Sequence, residues 1–333
     1  MAAKVAINGM GRIGRAAFKV VLDTPELELA AVNDLVPTDN LAYLLKYDSV
    51  YGRYEKTVDY TENSLVVDGA EYKVFNEKDP AALPWGELGI DVVFECTGVF
   101  TKREGLEKHI QAGARHAILS APAKSEDLDT VVHGVNQPGG GQNVYSCASC
   151  TTNCITPVVE VLGRQIGIKK AIMTTIHAYT STQAIVDAPA KKFRRGRAAA
   201  ANFVPTSTGA AIATTKALPQ YAGKFDGVAI RGPVPVGSLA DLVFLTEKET
   251  SRDEVNEIFR AEANSDRYAG IMGVSDDEIV SSDIIKDPRA SIVDLTMTQV
   301  VDGDLVKIMA WYDNEWGYTN QMVREALAIL NRA

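Results

Sequence analysis

The stretch KVAINGMGRIGR, residues 4–15, decides the fold. KVAIN is a short apolar run of strand character, RIGRAAFKVVLD has helical spacing, and G-M-G-R-I-G at positions 9–14 joins the two. Twenty residues beyond Gly14, Asp34 closes the next apolar run, ELAAVND. Strand, glycine turn, helix and acid at this spacing form a dinucleotide-binding fingerprint. Gly9 permits the tight turn, Gly11 lets the backbone approach a pyrophosphate, and Gly14 lets helix and strand pack closely. The pyrophosphate would rest on the helix N-terminus, where free N–H groups and the dipole favour an anion. Asp34 would accept hydrogen bonds from the adenosine ribose hydroxyls. The expected cofactor is a nicotinamide or flavin dinucleotide.

Working outward, IDVVFECTG and ARHAILSA continue the alternation of strand and helix, which predicts a Rossmann-type, doubly wound parallel sheet. After about residue 150 the pattern changes. KKAIMTTIHAY, KFDGVAIRGPVP, SLADLVFLTEKE, ASIVDLTMTQVV and LVKIMAWYDNE read as longer strands, several bounded by Gly or Pro, and predict an α+β domain with a mainly antiparallel sheet. TNQMVREALAILNRA places Met322, Val323, Ala326, Leu327 and Leu330 on one helical stripe and reads as a closing helix. The expected division is a dinucleotide-binding domain of residues 1–149 with the C-terminal helix 315–333, and a catalytic domain of residues 150–314.

With 333 residues, 46% hydrophobic and 23% charged, the chain is long enough for two domains with real cores. A net charge of −9 argues against nucleic acid or an anionic membrane as main partner, so a bound anion requires a local basic pocket. MAAKVAINGM has no basic segment leading into an apolar one, and no apolar run approaches the roughly 18 residues that span a bilayer. The expectation is a soluble, cytoplasmic protein. Four cysteines cannot build a secreted disulfide framework, and the one C-x-x-C, Cys147 and Cys150, lacks a second pair to complete a structural metal site. No metal is expected.

Three of the four cysteines lie in YSCASCTTNC, residues 145–154. Ser149, Thr151, Thr152 and Asn153 are cap-forming types, and ITPVVEVLGRQIG follows with helical spacing, so Cys150 falls at a helix N-terminus, a position that favours a thiolate. A helix terminus alone is too weak to ionise the thiol, and a base or cation must assist. Among four histidines, His177 ends the apolar run TTIH just before the small polar cluster AYTSTQ, as a strand opening into a pocket would. His109, His116 and His133 read as surface or packing residues, Cys154 as buried filler and Cys96 as a strand residue. Cys147 has two open readings, a small packing residue or a thiol that resolves an oxidised Cys150. Pro157 predicts a kink or break in the helix that follows Cys150. KKFRRGR, residues 191–197, reads as a solvated loop, a nucleic-acid patch or an anion-binding loop, and the acidic balance with the neighbouring PTSTG favours the last.

NGMGRIGR, SAPAK, ASCTTNC, IHAYTSTQ, RAAAANFVPTSTGAA and WYDNEWGY occur in unbroken order. Together they resemble phosphorylating glyceraldehyde-3-phosphate dehydrogenases from residue 4 to the C-terminus. The resemblance implies that Cys150 attacks the aldehyde to give a thiohemiacetal, that His177 is the base, and that inorganic phosphate releases an acyl thioester as 1,3-bisphosphoglycerate. It places Arg12, Ile13, Asp34, Lys78, Ser120 and Asn314 at cofactor positions beside the glycines. Thr180 and Arg231 match a site for the substrate phosphate, Ser149, Thr151, Thr208 and Gly209 one for the attacking phosphate, and Arg195 of the basic loop belongs to the same anion pocket, with Arg194 and Arg197 as neighbours in register. NAD is the implied cofactor with NADP tolerated, and a homotetramer the implied assembly. Three positions depart from the pattern: Thr182 stands where many members have Asp, Ala188 where NAD-dependent members carry Leu, and Cys147 where Asn is common. Erythrose-4-phosphate dehydrogenase, which uses water as acceptor, is the nearest alternative, and Ser149, Thr151 and Thr208 argue against it. A redox-sensing or binding protein that retains the fold would not need every catalytic position filled.

Overall fold

The computed structural model describes residues 2–332. The chain divides into two compact units, the first holding residues up to Val131, Gln137–Ala148 and the segment from Met322 on, the second Val132–Asn136 and Ser149–Gln321.

In the first unit six parallel strands follow one another as Ala3–Asn8, Leu27–Asn33, Ala70–Phe75, Val92–Glu95, His116–Leu119 and Val144–Ser146. Numbered in that order they lie side by side as 3-2-1-4-5-6, and Ser64–Val67 and Val58–Thr61 extend the third strand's edge antiparallel. Cys96 lies one residue past the end of Val92–Glu95, outside the strand expected to hold it. It ends there because the chain turns through Gly98, at φ +71°. The central strands are buried on both faces, so they read as unbroken apolar runs: Val5, Ala6 and Ile7 beside Val92, Val93 and Phe94 are all 0% exposed. Helices α1 (Arg12–Leu22), α2 (Thr38–Lys46), α3 (Trp85–Leu88) and α4 (Arg103–Gln111) belong to this unit. The strand order reverses between Ala3–Asn8 and Val92–Glu95. In such sheets a ligand binds outside the carboxyl ends of the strands at that reversal.

In the second unit seven strands lie in the order Val204–Ser207, Phe225–Gly232, Ile168–Ala178, Ser238–Thr246, Leu305–Tyr312, Ser291–Val301, Met272–Ser275. Ile168–Ala178 with Phe225–Gly232, and Met272–Ser275 with Ser291–Val301, are parallel pairs, and the remaining neighbours are antiparallel. Helices α5 (Cys150–Gln165), α6 (Ala210–Ala217) and α7 (Arg252–Ala263) accompany the sheet, and α8 (Trp316–Leu330) runs across the boundary of the two units. SLADLVFLT alternates strictly between buried and half-buried, as a strand with one covered face must. On the covered face Leu242, Phe244 and Ile308 share a core with Val158, Val159 and Leu162 of α5.

Pro157 does not break α5, which runs without interruption from Cys150 to Gln165. An internal proline costs about 3 kcal/mol through its missing N–H and its clash with the preceding turn. Ile155, Val158, Val159, Val161 and Leu162 are at most 1% exposed. Burial of such side chains contributes about 1.5–3 kcal/mol each, so packing outweighs the local preference. Among the described residues no helix is long and apolar enough to cross a membrane.

Candidate active site

In the first unit, the crevice at the strand reversal is built around α1. Gly9 has φ +95°, and a Cβ there would stand 2.7 Å from the Thr97 nitrogen; a Cβ on Gly14 would stand 1.9 Å from the Gly9 carbonyl oxygen. The chain itself demands both glycines. Gly11 is different, because a Cβ there would meet nothing within 4 Å. No side chain caps the first turn of α1. A helix start without a side-chain cap, beneath the open space at Gly11, is what a dinucleotide pyrophosphate needs, so these residues fit the group. The Asp34 carboxylate accepts from the Met10 N–H at 2.6 Å and the Val36 N–H at 2.9 Å, which ties the acid to the fingerprint turn. Arg12 pairs with Asp48. Burial opposes ionisation of Asp48, but the Tyr51 and Val50 N–H groups and the Arg12 guanidinium hold it below the usual carboxylate value. Ile13 is half-buried beside Arg12, Lys78 is exposed just after the strand Ala70–Phe75, and the Ser120 N–H donates to the Glu95 carbonyl at 3.0 Å. Gly9, Asp34, Lys78 and Ser120 thus all follow carboxyl ends of parallel strands.

In the second unit, Ser149 caps α5: its hydroxyl accepts the Thr152 N–H at 3.2 Å, which makes Cys150 the first helical residue. Cys150 Sγ lies 3.4 Å from His177 Nε2. His177 is the next-to-last residue of Ile168–Ala178 and sits opposite Arg231 in the parallel register with Phe225–Gly232. His177 Nδ1 is 2.6 Å from the Ala178 carbonyl oxygen, and Arg231 Nη1 is 2.6 Å from Nδ1 and 2.9 Å from the same oxygen. Nδ1 thus faces both an acceptor, the Ala178 carbonyl, and a donor, the Arg231 guanidinium, and the tautomer that donates from Nδ1 to Ala178 is the one that turns an unprotonated Nε2 toward sulfur. Tyr312, fully buried, packs edge-on to the His177 ring at 6.0 Å, and its hydroxyl is 2.8 Å from both Thr151 Oγ1 and Thr175 Oγ1. One phenol therefore joins the start of α5 to the strand that carries His177.

Burial pushes the Cys150 thiol up from its ordinary value, against the Arg231 guanidinium and the Thr151 hydroxyl and N–H, which pull it down. Burial first, then Arg231, pushes His177 down to about 3. Desolvation thus outweighs the pull of the helix start and of Arg231 on the thiol, in keeping with the expectation that a helix terminus alone is too weak to ionise it. The thiol proton and its acceptor are instead held side by side.

The anion-site candidates fall into groups. Thr180 Oγ1 is 2.8 Å from Thr182 Oγ1, and Arg195 donates to Thr182 at 3.3 Å and to Thr206 at 3.1 Å, so the hydroxyl of Thr182 links Thr180 to Arg195. In the same loop Arg197 is drawn off by Asp187 at 2.8 Å. Thr208 and Gly209 open α6, where the Thr208 hydroxyl accepts the Ala210 N–H at 3.2 Å. Asn314 is buried, and its Oδ1 accepts from the Gly237 N–H at 3.1 Å and the Ser238 hydroxyl at 3.0 Å. Ser238 Oγ in turn accepts the Ala178 N–H at 3.1 Å, beside His177. Sequence reasoning missed Tyr312, Thr175 and Ser238. Tyr312 stood in the quoted WYDNEWGY, but no spacing rule links it to a residue 161 positions away.

Cys154 is fully buried, and burial pushes its thiol above the ordinary range. Cys147 is 3% exposed, and burial, then Glu325, pushes its thiol well up, which favours the packing reading over a resolving thiol. His109, read as a surface or packing residue, is 0% exposed and carries hydrogen bonds at both ring nitrogens.

Comparison with known proteins gives a consistent result. Residues 3–103 match the glyceraldehyde 3-phosphate dehydrogenase NAD binding domain, and residues 149–314 match the glyceraldehyde 3-phosphate dehydrogenase C-terminal domain. The chain is 50% identical over 327 residues to the glyceraldehyde-3-phosphate dehydrogenase of Streptomyces coelicolor, covering 97% of each chain. It is 52% identical over 325 residues to that of Thermotoga maritima, covering 96% of this chain and 97% of the relative. With the enzyme of Geobacillus stearothermophilus it shares 48% identity over 335 residues, covering 100% and 99%.

Proposed function

The chain belongs to the glyceraldehyde-3-phosphate dehydrogenase family, NAD-dependent oxidoreductases acting on an aldehyde, and on that premise we propose how its own residues carry out the reaction. The substrates are glyceraldehyde 3-phosphate and inorganic phosphate. Cys150 is the nucleophile. As its sulfur attacks the aldehyde carbon, His177 Nε2, 3.4 Å away, takes the thiol proton, so the thiolate is made where it is used. The N–H groups of Cys150 and Thr151 face that sulfur and steady its charge. His177 returns the thiol proton to the new alkoxide, giving the thiohemiacetal hydroxyl, and takes it back as the carbon is oxidised, which leaves an acyl thioester on Cys150. NAD, held at the α1 N-terminus by Gly9, Gly11, Arg12, Ile13 and Gly14, with Asp34, Lys78, Ser120 and Asn314 as further contacts, supplies the hydride acceptor when bound. Attack of phosphate on the thioester carbonyl frees the acyl phosphate and restores the thiol.

Arg231 and Thr180 hold the phosphate of the aldehyde, with Arg195 and Thr182 behind them. Ser149, Thr151, Thr208 and Gly209 hold the attacking phosphate. Arg231 and Arg195 supply the local positive charge that a protein of net charge −9 must concentrate to bind two anions. The dinucleotide-binding domain is assigned to residues 1–149 with 315–333 and the catalytic domain to residues 150–314, a division near that of the two compact units, of which the second also takes Val132–Asn136, Ser149 and the chain up to Gln321. A homotetramer is supported by apolar side chains left in the open: Ile172 and Val228 on the sheet of the second unit, Ile185 and Phe193, 87% and 88% exposed, in the loop beyond His177.

The observation that carries this reading is the Cys150 thiol at the start of α5, with its sulfur 3.4 Å from His177 Nε2. The test is NADH formation from glyceraldehyde 3-phosphate with and without inorganic phosphate. Sustained turnover should require phosphate. An equal rate with water as the only acceptor would replace this reading with that of an erythrose-4-phosphate dehydrogenase type.

A further inference from the structure

Beneath the fingerprint turn lies a set of buried polar side chains that the reaction does not use. Glu95 and His109 are 0% exposed, Asn8 is 1% and Asn33 4%. Trp85 Nε1 donates to His109 Nδ1 at 3.0 Å, and an indole N–H can only donate. His109 Nε2 must therefore carry the ring proton, and it points at Glu95 Oε2, 3.1 Å away. From the other side Asn33 Nδ2 donates to Asn8 Oδ1 at 2.7 Å, and Asn8 Nδ2 donates to the same Glu95 oxygen at 2.6 Å. Glu95 Oε1 accepts the Thr97 N–H at 2.8 Å and also the Thr97 hydroxyl. The bonds from Trp85 through His109, from Asn33 through Asn8 and from Thr97 all end on Glu95, and a carboxylate is the one side chain that accepts on both oxygens without donating.

The residues so tied are immediate neighbours of the cofactor contacts. Asn8 precedes Gly9, and Asn33 precedes Asp34. Asn33 also grips the backbone of Glu77, donating to its carbonyl and accepting its N–H, both at 2.9 Å, and Lys78 is the next residue. Thr97 is the residue whose nitrogen a Cβ on Gly9 would strike. Asn8 and Glu95 end the two strands between which the sheet order reverses.

We propose that Glu95 is the positioning residue of the dinucleotide site: as common acceptor for Asn8, His109 and Thr97 it locks the ends of the strands that carry Gly9, Asp34 and Lys78 into a binding-ready arrangement. It touches no substrate and acts through the residues it holds. The inference rests on the reading that this crevice binds NAD. Glu95→Gln keeps the shape but places an amide N–H₂ among donors. Asn8 cannot turn to receive it without losing Asn33, and His109 cannot change tautomer without losing Trp85. A half-satisfied buried network costs more than its bonds are worth individually.

The test measures NAD binding by fluorescence titration and full steady-state kinetics on the intact enzyme. Glu95→Gln should raise the Kd and KM for NAD by about tenfold or more, the scale of a charge-assisted hydrogen bond, with kcat at saturating NAD and KM for the aldehyde unchanged. His109→Gln, which can still accept from Trp85 and donate to Glu95, should bind NAD nearly as the wild type does. His109→Leu, which fills the space without the bonds, should behave like Glu95→Gln. Equal NAD affinity in the His109→Gln and His109→Leu proteins would overturn the proposal, and that pair decides the matter if Glu95→Gln does not fold. A Glu95→Gln enzyme whose aldehyde KM rises as much as its NAD KM would also overturn it. Should the wild type itself bind no NAD, the reading of the crevice fails instead.

Discussion

Cys150 Sγ stands 3.4 Å from His177 Nε2, across the gap between the first residue of a helix and the next-to-last residue of a strand. If this contact is the catalytic unit, Cys150→Ser abolishes turnover and leaves NAD binding nearly intact. His177→Asn slows alkylation of Cys150 several-fold at neutral pH, because the thiol loses its proton acceptor. Retention of more than about a tenth of the wild-type rate by Cys150→Ser would remove the residue from the chemistry.

Arg231 touches the far nitrogen of the same imidazole, and its own Nε is buried without a partner among the described residues. Such a guanidinium is ready for an anion. Arg231→Leu should raise the KM for the phosphorylated aldehyde about tenfold or more and that for NAD far less, since a charge-assisted hydrogen bond is worth about 1.5–3 kcal/mol. Kinetics with both substrates varied separate the two effects, and equal increases would place Arg231 outside the substrate site.

The two glycines at either end of the α1 turn should fail in different ways. Gly14→Ala puts a methyl group 1.9 Å from a backbone oxygen and should destabilise the fold, read as a fall in thermal midpoint. Gly11→Ala meets nothing in the protein, so the midpoint should hold while NAD affinity falls as the methyl enters the space for the pyrophosphate. A Gly11→Ala protein that binds NAD normally would show that the open space has another use.

These contrasts mark what the sequence could reveal. The fingerprint was legible because its demands are local: a turn, a helix start and an acid fall at fixed spacings, and the 3-2-1-4-5-6 sheet forms around them. His177 could be chosen over three other histidines from the end of its apolar run. Tyr312 and Ser238 could not be found, since their roles arise from strand neighbours far apart in sequence. The two bonds of His109 were hidden for a similar reason: a packing histidine near a helix end looks ordinary until Trp85 and Glu95 are seen on its two nitrogens. The burial that pushes the Cys150 thiol up was not legible, because spacing shows a helix terminus and not what packs around it. Pro157 is the same lesson in the backbone, where packing of α5 overrides a residue that disfavours it.

Cofactor preference follows from Asp34. Its carboxylate is fixed by the Met10 and Val36 N–H groups, so it cannot easily swing away from a ribose at the strand end. A 2′-phosphate would meet a like charge and lose the bonds that the hydroxyl makes. NAD should therefore be preferred. Ala188, smaller than the leucine that the family resemblance leads one to expect, and the cation of Lys78 should leave NADP a minor use. Catalytic efficiencies with both cofactors decide it. Asp34→Ala should narrow the ratio, and a wild type that uses NADP as well as NAD would contradict the assignment of Asp34.

The central claim is that an acyl thioester on Cys150 connects oxidation to phosphate transfer. Enzyme, NAD and glyceraldehyde 3-phosphate mixed rapidly without phosphate should give a single burst of NADH, stoichiometric with Cys150. Mass spectrometry of the quenched protein should then find the acyl group on the peptide containing Cys150, and added phosphate should remove it as acyl phosphate. Continuous NADH formation in the absence of phosphate, or an acyl group on any other residue, would contradict the account.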